Sequence, residues 1–336
     1  MRGVLQRIQD TPRIRLAVLP TPLEPLPRLG AALGVPRLWV KRDDGAGLEL
    51  GGNKTRKLEF LLAEALAQGA GLVLTAGGVQ SNHARMTAAA ACRLGLRAVL
   101  LLNDPEPAES QGNLLLDRLF GADVRFCPGA SMLELQELME TAAEASLGRG
   151  ESSYIIPVGG STPLGSLGYV LAVHEVAEQA RERGLRVGAM VVATGSTGTL
   201  AGILVGARAF LPEARVYGIS VSRPVARAQQ NCAEIVHGAA ERVGLPWRPE
   251  AGEMPIRGDW IGDGYGVPTA SGLQVIQLAA RLEGLLFDHV YTGKALAGLR
   301  GLAGQGELRS DEVVLFWHTG GTPALFAHPE LYAAVN

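Results

Sequence analysis

From residue 57 onward the chain alternates stretches of helical spacing, closed by glycine, with short apolar runs of strand length. In 57–68, Leu58, Leu61, Leu62 and Ala65 share one helical face, and Gly69 and Gly71 precede the run LVL. A helix near 83–94 ends at Gly95 before RAVLLL, and another near 110–120 ends at Gly121 before DVRF. A fourth, near 131–147, precedes YIIPV at 154–158. Strands separated by helices of this length pair in parallel through crossover connections, so the fold class is α/β.

A second run of such elements begins after GGSTPLG at 159–165: a long helix, the strand AMVVAT (189–194), a glycine-rich turn, and a helix from about 198 to 210. RVYGISV at 215–221 and EVVLFWHTGG at 312–321 read as further strands, and 244–266 reads as irregular connection. The segment ending in WVKRDD (39–44) is too short to fold alone and joins the carboxy-terminal lobe. The expected organisation is therefore a large domain from 1–56 and 163–336 and a small inserted α/β domain from 57–162. A chain of 336 residues can bury two open parallel sheets with a ligand cleft between them.

Composition narrows the partners. With 19% charged residues and a formal net charge of −2, no basic field exists for nucleic acid or an anionic membrane. Charges at Arg2, Arg7, Asp10, Arg13 and Arg15 interrupt any amino-terminal apolar span. Cys92, Cys127 and Cys232 stand far apart, lack metal-ligand spacing and cannot all pair, which fits a reducing, cytoplasmic setting and no metal. Lysine chemistry can use only Lys41, Lys54, Lys57 or Lys294, since arginine stays protonated.

Three strand-to-helix junctions carry chemistry. TGSTGT at 194–199 allows close backbone approach at Gly195 and Gly198, adds the hydroxyls of Ser196, Thr197 and Thr199, and opens a helix whose free N–H groups favour an anion. It lacks both a P-loop lysine and G-x-G-x-x-G spacing, so a phosphate monoester suits it better than ATP or NAD; a tight turn that binds nothing is the alternative. In GGNKTRK (51–57), Lys54 sits at a helix start, where an ammonium is disfavoured and an amine nucleophile favoured. In AGGVQSNHARMTAAAA (76–91), Gln80, Ser81, Asn82 and His83 expose side chains and amides suited to a carboxylate, although Ser81 or Asn82 could equally be a plain helix cap. GYGVPT and VYTGKALAGL add Tyr265 and Tyr291, whose phenols could transfer protons, cover a planar ring or simply pack.

Together GGNKTRKLEF, GGVQSNHARMTAAAA, TGSTGTLAG, GYGVP, VYTGKALAGL and HTGGTPALF, in that order across about 20–328, resemble the D-cysteine desulfhydrase and 1-aminocyclopropane-1-carboxylate (ACC) deaminase family of fold-type II pyridoxal-5′-phosphate (PLP) enzymes. The resemblance implies a tryptophan synthase β-like fold with the cofactor in the cleft between two domains, the larger of which binds it. It implies that Lys54 carries PLP as a Schiff base, that Gly195, Ser196, Thr197, Gly198 and Thr199 hold its phosphate, and that Asn82 meets the ring's 3′-oxygen. Ser81, Tyr265 and Tyr291 then surround a small amino-acid substrate whose carboxylate is received by Gln80, Ser81, Asn82 and His83. A homodimer is implied as well.

Thr292 stands where the family's deaminases carry glutamate, and the resemblance places it at the pyridine nitrogen. A neutral hydroxyl there suits β-elimination with a good leaving group better than cyclopropane opening. The reaction expected first is D-cysteine to pyruvate, sulfide and ammonia. L-cysteate sulfo-lyase and ACC deaminase are the alternatives within the family; a β-replacement synthase and a non-catalytic PLP or amino-acid-binding protein are those outside it.

Overall fold

A computed structural model describes residues 2–333. Ten strands form two sheets: β1 (Leu23–Pro25), β2 (Leu38–Lys41), β3 (Leu72–Gly77), β4 (Arg97–Leu102), β5 (Asp123–Phe126), β6 (Ser153–Ile155), β7 (Val187–Thr194), β8 (Arg215–Ser220), β9 (Ile256–Arg257) and β10 (Val313–Trp317). The larger sheet has the order β1-β2-β10-β7-β8-β9 and the smaller β5-β4-β3-β6. Among the described residues, only β1 with β2 is antiparallel. Every residue of β3 and β10 is buried, as parallel strands covered on both faces require. The helices before β4, β5 and β3 stop where expected, because Gly95, Gly121 and Gly69 take φ of 71°, 75° and 71°.

Differences from the expected elements have local causes. YIIPV forms a strand only to Ile155, since Pro157 has no N–H to extend the ladder, although Ile156 N still donates to Leu74 O. The irregular stretch 244–266 contains the two-residue edge strand β9. The helix expected from 57 begins at Lys54 and runs to Ala67, so the expected boundary at 56/57 falls inside it. The strands of the smaller sheet lie within 72–155, and those of the larger lie before 42 or after 186.

Under the first turn of that helix lies a buried polar network. Arg56 donates from Nε to Asp43 Oδ2 (3.0 Å) and from Nη1 to Glu175 Oε2 (3.1 Å). Lys41 pairs with Glu175 at 2.5 Å, and Tyr169 donates its hydroxyl to Asp43 Oδ2 at 2.6 Å. Two cations thus face two carboxylates, and the Asp43 carboxyl is held below its ordinary range against the opposing effect of burial, chiefly by Arg56.

Candidate active site

One cavity lies at the carboxyl ends of strands from both sheets, where open parallel sheets bind ligands. It is lined by Gly77 and Gly78 after β3, Asn103 after β4, Ala193–Thr197 and Thr199 at β7, Ser222 and Arg223 after β8, and Thr319 after β10. Lys54, Ser81, Asn82, His83, Tyr265 and Tyr291 line it too, with Asn53, Met132, Val158 and Gly159 completing the wall.

β7 ends in the turn that opens helix Gly198–Phe210. Thr197 caps this helix at φ 67°, an uncommon conformation for a β-branched residue that points to a site. The Thr194 and Thr197 hydroxyls are buried without a partner. Gly198 does not line the cavity itself; a Cβ there would meet Ser161 Oγ at 2.7 Å and Lys57 Nζ at 2.8 Å. Lys57, which like Gly198 lies behind the cavity wall, is the amine nearest this turn; its Nζ donates to Gly159 O (2.6 Å) and Ser161 Oγ (3.0 Å) and has no carboxylate partner. Ser161 in turn donates to Ser196 Oγ at 2.8 Å, and Asn53 Nδ2 donates to Thr199 Oγ1 at 3.0 Å. Burial, then the Lys54 charge, pushes the Lys57 amine well below its ordinary value. Orphaned hydroxyls, a helix start and an unpaired buried ammonium fit a phosphate dianion. Lys57, Asn53 and Ser161 escaped the sequence reading because each acts across the fold; the i, i+3 spacing of Lys54 and Lys57 was the available signal.

Lys54 lines the same cavity, and burial alone lowers its amine to about 8. Lys41 is committed to Glu175, while Lys294 is buried and donates to Ile261 O and Gly264 O, both at 2.7 Å, bracing the loop that carries Tyr265.

At the junction after β3, Ser81 caps helix Asn82–Arg93 by accepting from Ala84 N, so capping and lining coincide. Asn82 Oδ1 accepts from Asn113 Nδ2 at 3.0 Å. Gln80 requires correction: it does not line the cavity, because its amide is used by the 111–113 backbone, accepting from Asn113 N (2.8 Å) and donating to Gln111 O (3.0 Å). His83 Nε2 meets Thr75 Oγ1 at 2.8 Å, and that hydroxyl donates to Ile156 O. Nε2 therefore carries the proton, and Nδ1 is a buried acceptor with no partner. Burial, reinforced by Lys54 and Lys57, keeps the imidazole neutral.

Tyr265 and Tyr291 share a hydrogen bond of 2.7 Å between their hydroxyls, with rings edge to face at 5.8 Å. Tyr291 approaches Gly195 and Tyr265 approaches Gly78, so the pair spans loops from both sheets. Burial of the hydroxyl pushes Tyr265 up to about 12, and burial with the neighbouring phenol pushes Tyr291 well above its ordinary value. Two protons serve one mutual bond, leaving one O–H to donate into the cavity.

Thr292 is the second correction, since it is buried off the cavity wall. Its hydroxyl donates to Asp288 Oδ1 (2.6 Å) and accepts from Asp288 N (2.9 Å). The Asp288 carboxylate, which also receives the amides of Val290, Tyr291 and Thr292, draws that hydroxyl into the cap of helix Thr292–Gly304. Ser222 and Thr319 are among the neutral hydroxyls that do line the site.

Among the described residues, no group of three or more His, Cys, Asp or Glu could hold a metal, and no helix is long and apolar enough to cross a membrane. Residues 14–320 match the family described as pyridoxal-phosphate dependent enzyme. D-cysteine desulfhydrase of Klebsiella pneumoniae (strain 342) is 43% identical over 333 residues, covering 97% of this chain and 99% of the relative. That of Salmonella newport (strain SL254) is 42% identical with the same coverage. A solved ACC deaminase homologue superposes with a TM-score of 0.91 at 39% identity, covering 99% of both chains. Threonine deaminase isoform 2 of Solanum lycopersicum, at 19% identity and TM-score 0.65 over 95% of this chain and 84% of that one, shares the fold.

Proposed function

This chain belongs to the pyridoxal-phosphate dependent enzymes, and from that premise we propose that it eliminates sulfide from D-cysteine, giving pyruvate and ammonia after hydrolysis. The observation that carries the reading is the meeting, in one cavity, of a lysine amine lowered to about 8, a phosphate-type turn and a protonated phenol pair. PLP, held by Lys54 with its phosphate on Lys57, Ser196, Thr197, Thr199 and the 195–199 amides, supplies the electron sink. Asn82, which lines the cavity, would contact the ring oxygen, and Ser81 with the following amides would receive the substrate carboxylate. Lys54, whose amine burial lowers to about 8, would serve as the base for the Cα proton of the bound substrate. The phenol pair, protonated up to about pH 12 at Tyr265, donates to the departing sulfur. The same proposal has a small domain carrying β3 to β6 inserted in a large domain formed by both ends of the chain, a homodimer, and a cytoplasmic location, the last supported by three free cysteines.

One observation favours a second reading, sulfite release from L-cysteate. Arg223 lines the cavity beside Ser222, and among the described residues its guanidinium has neither an ion pair nor a hydrogen bond. A free guanidinium suits a sulfonate. A screen of D-cysteine, L-cysteine, L-cysteate, β-chloro-D-alanine and ACC, following pyruvate, 2-oxobutyrate, sulfide and sulfite, decides between them. Sulfide and pyruvate from D-cysteine with the highest kcat/KM is the expected result. Dominant sulfite from L-cysteate replaces it with the second reading, and 2-oxobutyrate from ACC overturns both.

A further inference from the structure

The segment leading to Lys54 has an unusual backbone. Residues 47–52 all have positive φ: Gly47 95°, Leu48 51°, Glu49 45°, Leu50 58°, Gly51 56° and Gly52 124°. Left-handed conformations are unfavourable for L-residues and normally occur singly, yet three non-glycine residues adopt them in a row. Gly51 has no alternative, because a Cβ there would lie 1.5 Å from Asp44 O. No backbone N–H reaches the carbonyls of Leu48, Glu49 or Gly51. All three instead accept from Arg85, whose Nη1 reaches Leu48 O (3.1 Å) and Glu49 O (2.7 Å) and whose Nη2 reaches Gly51 O (3.1 Å).

Arg85 lies on the helix whose start carries Ser81, Asn82 and His83. Its Nε donates to Asn113 Oδ1 at 3.2 Å, and Asn113 Nδ2 donates to Gln80 O (2.9 Å) and Asn82 Oδ1 (3.0 Å). The turn that delivers the amine and the helix start assigned to the carboxylate are therefore joined through one guanidinium and one amide.

We propose that Arg85, oriented by Asn113, is a positioning residue that holds the left-handed turn 47–52 against its conformational strain and so sets Lys54 in register with Ser81 and Asn82. This rests on Lys54 being the cofactor-bearing lysine, as proposed above. Loss of three carbonyl contacts to a buried guanidinium leaves the turn with few buried hydrogen bonds, and local opening is then read by amide exchange.

The test uses the PLP-loaded protein and the variants Arg85→Met, Glu49→Gly and the pair combined. Glu49 is exposed, and glycine adopts its φ without strain. Arg85→Met should accelerate amide hydrogen exchange in 45–53 and weaken PLP retention by on the order of tenfold to a hundredfold. Adding Glu49→Gly should recover most of both losses, which a general packing defect at Arg85 would not permit. Wild-type exchange in 45–53 for Arg85→Met, or no recovery in the double variant, overturns the proposal. If Arg85→Met does not fold, Glu49→Gly alone decides it: a raised melting temperature is expected, and a lowered one refutes the strain. Borohydride label on a lysine other than Lys54 defeats the lysine assignment instead, and with it the positioning role, whereas unchanged exchange with label on Lys54 defeats the clamp alone.

Discussion

Lys57→Gln separates the two states of the site by sign. Without cofactor the Lys57 ammonium is buried against one carbonyl and one hydroxyl, with no carboxylate to compensate it. Its folded pKa lies below the ordinary 10.5, so the unfolded chain binds more protons and stability from this group rises with pH up to about 10.5. Glutamine keeps a donor for Gly159 O without the charge, so the cofactor-free variant should melt above the wild type at neutral pH, and the gap should close toward pH 10. Phosphate reverses the sign. A hydrogen bond to a charged group contributes about 1.5–3 kcal/mol, and at about 1.4 kcal/mol per decade the variant should bind PLP roughly 10- to 150-fold more weakly. Absorbance titration with PLP, together with melting curves of loaded and cofactor-free protein from pH 6 to 10, measures both quantities. PLP affinity within twofold of wild type, or a cofactor-free variant less stable than wild type with the same pH slope, would refute the assignment of Lys57 to the phosphate.

Two further outcomes follow from the buried titratable groups. Tyr265→Phe and Tyr291→Phe should each lower kcat for D-cysteine by about 10²- to 10⁴-fold, the range for a lost general acid, and by the same factor at pH 6 and pH 9, because the Tyr265 phenol is pushed up to about 12; a factor that changes between those pH values would show that the pair ionises during turnover. Burial raises the Asp117 carboxyl to about 8, against the pull of Arg85, so the folded chain holds the extra proton and stability should fall as pH rises from about 4 through 8; Asp117→Asn should remove a slope of about 1.4 kcal/mol per unit, which melts at pH 5 and pH 8 will detect as a variant that gains on the wild type.

The sequence disclosed what depends on neighbours in the chain. Gly69, Gly95 and Gly121 mark helix ends because left-handed φ is a local demand. Continuous apolar runs reveal β4, β7 and β10 because buried parallel strands need no alternation. What escaped depends on contacts far apart in sequence. Gln80 and Thr292 look like site residues by position, yet Asn113 and Asp288 draw their polar atoms away. Lys57 looks like an ordinary helix charge until Gly198 and Ser161 arrive beside it from more than 100 residues later. Arg85 reads as one more basic residue in an alanine-rich helix, since nothing local announces that residues 48–51 turn left-handed.

The network of Lys41, Asp43, Arg56 and Glu175 limits how this chain can diversify. Its formal charges cancel only as a set, and removing one partner of a buried pair costs about 3–5 kcal/mol, a large share of the stability of an ordinary domain. Single substitutions there lead through poorly folded intermediates, so viable paths to a different arrangement must change two members together or pass through a compensating change elsewhere. Because Arg56 lies two residues from Lys54, that ruggedness extends to the amine itself. A library aimed at new substrates would find its open ground at Ser222 and Arg223, which line the cavity outside that network and outside the tyrosine pair.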